Sequence, residues 1–98
     1  MNLEEWRKEI DSIDEEIVGL INRRAEIALE IGAVKAAAGL PMVDAAREDE
    51  ILRNAARRNK GVLKREAIVR IFRAVIRESR NLQAEMRTKA GGAAERVV

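Results

Sequence analysis

Apolar residues recur through residues 3–38 with the period of one long α-helix, and no stretch alternates with the period of a strand. Gly39 and Pro41 follow this segment, and these residue types end helices. Counting in sevens along the helix gives ten seam positions, of which nine are apolar: Leu3, Ile10, Ile17, Arg24 and Ile31, then Trp6, Ile13, Leu20, Ile27 and Val34. The pattern therefore predicts a first helix from about Leu3 to about Ala38, with one arginine in its apolar stripe.

Two further helices are predicted after the Gly39–Pro41 segment. Asp44 has the position of an N-cap for a second helix, which ends near Asn59–Gly61. A third helix begins near Lys64 and carries an apolar stripe formed by Ile68, Ile71, Phe72, Val75, Ile76, Leu82 and Met86. The stripe is lost after about Thr88. We therefore predict an all-α fold of three helices, with a domain at residues 1–88 and a disordered or frayed tail at residues 89–98.

The length of the first helix predicts a second copy of the chain. A helix of 36 residues is roughly 54 Å long, whereas a compact domain of this size has a radius of gyration of about 13 Å. Two shorter helices cannot cover so long a seam. The prediction is an intertwined helical homodimer, and the alternative is a monomer whose first helix is kinked.

The amino-acid composition excludes several classes of chemistry and of binding partner for this protein. The chain has no Cys and no His, which excludes disulfides, thiol chemistry, histidine acid–base catalysis and the usual zinc sites, and we predict no metal and no cofactor. A net charge of +2 with 2% aromatic residues argues against nucleic acid. No apolar run is long enough for a membrane span, and the start "MNLEEWRKEI" has no apolar core of a signal peptide. These features predict a cytoplasmic protein.

Four polar residues interrupt the apolar stripes of the first and third helices. Lys35 lies eleven residues after Arg24, about 20° away around the helix and about 16 Å along it. Ser79 and Gln83 lie one turn apart in the stripe of the third helix. Buried polar groups need hydrogen-bond partners, and one small polar ligand would supply partners for all four. The alternative for Arg24 is an arginine that extends to solvent or sets the register of a coiled coil.

The segment "DAARE" and Arg7 extend this set. Arg47 and Glu48 follow Asp44 in the first turn of the second helix, where free N–H groups bind polar groups. As alternatives, Asp44 is only a cap and the other two are surface charges.

Arg7 is 17 residues before Arg24, or roughly 25 Å along a straight helix. If Arg7 contacts the same small ligand as Arg24, it must come from the partner chain.

Three segments carry a resemblance to a known family: "WRKEIDSIDEEIVGLINRRAEIALEIGAVK", "PMVDAARED" and "IFRAVIRESRNLQ". Their ordered pattern is Arg-x6-Asp, an Arg eleven residues before a Lys, Pro with Asp-x-x-Arg-Glu, and Ser-x3-Gln. Over residues 3 to about 87 this pattern closely resembles the all-helical chorismate mutases, the AroQ class. In that family two protomers interlock through long first helices, so the resemblance implies the same homodimer with shared active sites.

The resemblance also implies roles for the residues that match the pattern. Arg24 and the partner's Arg7 bind the two carboxylates of chorismate, and Ser79 assists at a carboxylate. Lys35 and Gln83 donate hydrogen bonds to the ether oxygen of the breaking C–O bond. The implied reaction is a concerted Claisen rearrangement to prephenate, in phenylalanine and tyrosine biosynthesis, which needs no nucleophile, metal or cofactor.

The second helix has the remaining implied roles, and they separate the mutase from a related activity. Glu48 and the backbone at Asp44 bind the ring hydroxyl, and Arg47 orients that part of the site. Isochorismate pyruvate-lyases of the same fold use a similar arginine–lysine pocket, but the complete set of Asp44, Arg47 and Glu48 favours the mutase. The sequence is also compatible with a non-catalytic helical interaction module and with the mutase portion of a longer enzyme.

Overall fold

The computed structural model describes the backbone of residues 1–97 and the side chains of residues 1–89. Over this part the chain is all-α and consists of three helices: α1 (Leu3–Ala37), α2 (Ala45–Arg58) and α3 (Arg65–Val97). The predicted all-α fold of three helices is thus confirmed, but α3, with 33 residues, is nearly as long as α1, with 35. No helix in this part of the chain is both long enough and apolar enough to cross a membrane.

The two ends of α1 follow from local hydrogen bonding. The side chain of Asn2 accepts a hydrogen bond from the backbone N–H of Glu5 at 2.9 Å, which caps the helix N-terminus. At the other end the N–H of Leu40 donates to the carbonyl of Lys35 at 2.8 Å. Gly39 has a φ of +69°, in the left-handed region that glycine adopts without strain. The chain therefore leaves the helix one residue before the predicted end.

Capping residues also set both ends of α2. The Asp44 carboxylate accepts a hydrogen bond from the N–H of Arg47 at 3.0 Å, which confirms Asp44 as the N-cap. After the last turn, the Asn59 amide donates to the carbonyl of Leu63 at 2.7 Å and accepts from the N–H of Gly61 at 3.2 Å. These two bonds hold the loop that leads to α3.

Helix α3 continues to Val97, so its predicted end near Thr88 is wrong. The apolar stripe ends there, but a helix needs no stripe to continue. The following residues include several good helix formers, and no proline stops the hydrogen-bond ladder. The separation of a domain at residues 1–88 from a tail at residues 89–98 stays a prediction.

Helix α3 is the centre of the fold and packs against both α1 and α2. The chain measures 63 × 29 × 16 Å, and its radius of gyration is 17.6 Å, against about 13 Å for a compact domain of this length. Among the side chains described, only that of Ile76 is buried. Seam residues of α1 are exposed, for example Trp6 at 55% and Leu20 at 65%. One chain therefore has almost no apolar core of its own.

Candidate active site

A cavity of about 270 Å³ lies between the second half of α1, the first turns of α2 and the middle of α3. Apolar side chains, including Ile27, Ile31, Ile51 and Ile76, form much of its wall. Seven of the eight residues that the sequence nominated for the site line this cavity: Arg24, Lys35, Asp44, Arg47, Glu48, Ser79 and Gln83. The three helices thus bring cations, two carboxylates, a hydroxyl and an amide to one place.

The two cations from α1 are half-buried, and each makes one long hydrogen bond to the protein. Nη1 of Arg24 donates to Oγ of Ser79 at 3.3 Å, which links α1 to α3. Nζ of Lys35 donates to the backbone carbonyl of Met42 at 3.3 Å, which links α1 to the loop before α2. A guanidinium has five N–H groups and an ammonium has three. Each side chain therefore keeps donors for an anionic or oxygen-rich ligand.

The amide of Gln83 is held more firmly. Its Nε2 donates to the backbone carbonyl of Ala28 at 2.6 Å, across the contact between α3 and α1. This bond uses one of the two N–H groups on Nε2 and leaves the other for a ligand. It also identifies Nε2 as the amide atom on the α1 side. Gln83 thus has a defined orientation before any ligand is present.

Gly32 of α1 makes room for Gln83, a feature that the sequence analysis missed. A Cβ at position 32 would lie 3.3 Å from Cγ of Gln83 and 3.5 Å from its Nε2. The first distance is closer than ordinary van der Waals contact allows. The absence of a side chain at Gly32 therefore lets Gln83 approach the α1 backbone, and the signal in the sequence is only one glycine inside a helix.

We expect Gly32→Ala to lower kcat by roughly tenfold, because the added methyl displaces the Gln83 amide from its hydrogen bond. Stability should change little, since alanine gains about 1 kcal/mol of helix propensity and the displaced bond loses about as much. Steady-state kinetics and urea unfolding measure the two effects. Gly19→Ala is the matched control on the same helix, where a new Cβ meets nothing within 4 Å. An unchanged kcat in Gly32→Ala would contradict the requirement for glycine at position 32.

The three predicted site residues at the start of α2 differ in their exposure and in their hydrogen-bond partners. Asp44 is exposed and its carboxylate caps the helix, as described above. The guanidinium of Arg47 is also exposed and pairs with Glu50 one turn further along α2. Glu48 is half-buried, and its Oε1 accepts a hydrogen bond from Nη2 of Arg80 at 2.6 Å. Of the three, Glu48 is the one whose side chain joins α2 to α3.

Arg80 lines the cavity, and the sequence analysis missed it. It lies four residues after the buried Ile76 and three before Gln83, so helical spacing places it on the inward side of α3. That spacing was the signal that would have found it. Its Nε is buried and has no partner among the described residues.

Arg7 is exposed near the start of α1 and does not line the cavity of its own chain. This placement agrees with the distance of roughly 25 Å that separates it from Arg24 along the helix. Among the described residues, no group of three or more carboxylates is arranged to hold a metal ion.

Comparison with known proteins identifies the family. The model of the family "Chorismate mutase type II" matches residues 6–84, which include the whole cavity. The chain belongs to the chorismate mutase type II family.

Individual relatives agree with this assignment. The chain is 44% identical over 89 residues to a bifunctional chorismate mutase/prephenate dehydratase of Aquifex aeolicus, a match that covers 87% of the chain and 25% of the relative. The chain thus spans between about a fifth and a quarter of the length of the curated relatives it matches.

Two solved structures share the fold. Chorismate mutase (form II) of Thermus thermophilus is 32% identical with a TM-score of 0.82, over 84% of this chain and 93% of that one. Chorismate mutase of Helicobacter pylori, in complex with prephenate, is 35% identical with a TM-score of 0.78, over 85% of this chain and 90% of that one.

Proposed function

We propose that the chain is a chorismate mutase, an isomerase that converts chorismate to prephenate in the biosynthesis of phenylalanine and tyrosine. The observation that carries the proposal is the convergence of Arg24, Lys35, Glu48 and Gln83 on one cavity, in a member of this family. The Helicobacter pylori relative was solved with prephenate, the product of the proposed reaction.

The available groups suit a reaction without proton transfer. A concerted rearrangement needs the flexible dianion held in its reactive conformer, which is an effect of orientation. The planar guanidinium of Arg24 pairs with a carboxylate through two parallel hydrogen bonds, so it sets direction as well as charge. Its contact with Ser79 brings a hydroxyl beside the same carboxylate.

Negative charge develops on the ether oxygen as the C–O bond breaks. Lys35 and Gln83 supply the donors for this oxygen, and each keeps at least one N–H after its bond to the protein. Donors that are already oriented stabilise a developing charge without reorganising during the reaction. The ring hydroxyl is assigned to the Glu48 carboxylate and the backbone at Asp44, and Arg47 belongs to the same part of the site.

The functional unit that we propose is an intertwined homodimer. The accessible surface of one chain is 8084 Å², whereas a folded monomer of 11.0 kDa exposes about 5,600 Å². The excess accessible surface includes the apolar seam of α1. Burial of apolar surface is the dominant favourable contribution to folding and association. The partner's Arg7 then supplies the second arginine of each site, for the other carboxylate of chorismate.

Two rival functions would give different results with the same substrates. An isochorismate pyruvate-lyase would act on isochorismate in preference to chorismate. A non-catalytic interaction module would use the bonds of Arg24 to Ser79 and of Gln83 to Ala28 only to join helices. The spare donors on Arg24 and Lys35 favour a ligand over the module. The cytoplasmic location stays a prediction, as does membership of a longer enzyme.

We expect the purified chain to consume chorismate and to release prephenate. The loss of chorismate is followed by absorbance, and the product is identified by mass spectrometry. A parallel assay with isochorismate measures lyase activity, and calorimetry with a stable dicarboxylate analogue of chorismate measures binding. Turnover of isochorismate alone would overturn the mutase in favour of the lyase. No turnover of either substrate and no binding of the analogue would favour the interaction module.

A further inference from the structure

We propose that Arg80 is a positioning residue, which orients the carboxylate of Glu48 so that one of its oxygens accepts a hydrogen bond from the ring hydroxyl of the substrate. The proposal rests on the proposed function and adds a residue that the family pattern does not contain. Arg80 acts through Glu48 and is not assigned a contact with the reacting atoms.

The geometry of the pair is the first observation. Nη2 of Arg80 on α3 lies 2.6 Å from Oε1 of Glu48 on α2, and both residues line the cavity. This short bond between charged groups occupies only one carboxylate oxygen. Oε2 of Glu48 has no partner among the described residues. The pair therefore leaves one oxygen as an acceptor for a hydroxyl while the other is held.

The orientation of Arg80 is the second observation. Its Nε is buried and has no partner among the described residues, although a buried donor without a partner is unfavourable. In this orientation Nη2 of the guanidinium donates to Glu48 while Nε is left without a partner among the described residues. The bond to Glu48 is the side-chain hydrogen bond that Arg80 makes among the described residues.

Stability alone does not explain the pair. The side chain of Arg80 is 41% exposed and that of Glu48 is 26% exposed, and ion pairs at this exposure contribute little to folding. Arg77 and Arg73 of the same helix are exposed and do not line the cavity. Arg80 differs from them in contacting a carboxylate that faces the ligand space. Its effect should therefore appear in catalysis more than in unfolding.

The test uses Arg80→Met, which keeps the apolar stem and removes the guanidinium. We expect kcat/KM for chorismate to fall about tenfold to a hundredfold, the size of effect that follows from a misplaced group. Arg80→Lys should recover part of this loss, because it restores a cation without the second nitrogen of the fork. Arg77→Met is the matched control, since Arg77 is exposed on the same helix and its only ion pair among the described residues is to the adjacent Glu78 at 3.8 Å.

Two further measurements separate positioning from a structural role. With an analogue of chorismate that lacks the ring hydroxyl, Arg80→Met should lose little relative to wild type, because Glu48 has nothing to accept. In a double-mutant cycle with Glu48→Gln, the double variant should be no worse than Glu48→Gln alone. An equal loss on both substrates, or an additive cycle, would overturn the role of Arg80. A wild-type protein that does not turn over chorismate would instead overturn the proposed function.

Discussion

Arg7→Ala and Arg24→Ala proteins, each nearly inactive alone, should recover about a quarter of wild-type activity when they are unfolded and refolded together. Each variant leaves one substrate carboxylate without its guanidinium, so neither homodimer has a complete site. Random pairing makes about half of the dimers mixed, and in a mixed dimer one of the two sites receives both native arginines. Activity assays on the refolded mixture, with native mass spectrometry to count mixed dimers, make the measurement.

The control for this experiment is a mixture of Arg24→Ala with Lys35→Ala. Arg24 and Lys35 line the same cavity of one chain, so no site in a mixed dimer is complete and no activity should return. Recovery in this control would mean that refolding itself raises activity. No recovery in the Arg7 mixture, with mixed dimers present, would remove Arg7 from the site and contradict the shared-site model.

Lys35→Ala should lower kcat by about 10²–10³-fold, equivalent to about 2.7–4 kcal/mol, with a smaller effect on KM. Lys35 makes a single 3.3 Å bond to the Met42 carbonyl, so its other donors are available to the ether oxygen. An interaction made mainly in the transition state lowers kcat when it is removed. Steady-state kinetics on chorismate provide the measurement.

Lys60→Ala is the matched control for this variant. Lys60 is exposed in the loop between α2 and α3 and does not line the cavity, so its loss removes a charge and no ligand contact. Urea unfolding of both variants checks that lost activity does not arise from lost stability. A kcat for Lys35→Ala equal to that of Lys60→Ala would remove Lys35 from the catalytic role.

The helices were predictable from the sequence because their ends are encoded locally. Asp44 caps α2 through its own side chain, and Gly39 ends α1 through a backbone conformation that few other residues adopt. No capping residue or proline ends α3 near Thr88. The loss of the apolar stripe at that point therefore did not indicate where the helix ends. An apolar stripe indicates which face of a helix packs against other elements, whereas capping residues indicate where the helix ends.

The cavity was predictable where polar residues interrupted an apolar stripe, as at Arg24 and Gln83. Arg80 has no such contrast, since α3 is rich in arginine. Its spacing from Ile76 and Gln83 was a signal in the sequence, but its ion pair with Glu48 on α2 is seen only in the structure. Gly32 was missed for a related reason. A Cβ at position 32 would lie only 3.3 Å from Gln83. This distance depends on how α1 packs against α3, so it cannot be read from the sequence of either helix.

Ile76 is the one buried side chain among those described, so a single chain has almost no apolar core. The stability of the fold should therefore depend on the protein concentration. On the dimer that we propose, a protomer buries its apolar seam only by meeting another, so folding and assembly are one mass-action equilibrium. Tenfold dilution then lowers the apparent free energy of unfolding by about 1.4 kcal/mol, as much as many substitutions do. The abundance of the chain in its cell would thus limit how much of it is folded, before any regulator acts on the active site.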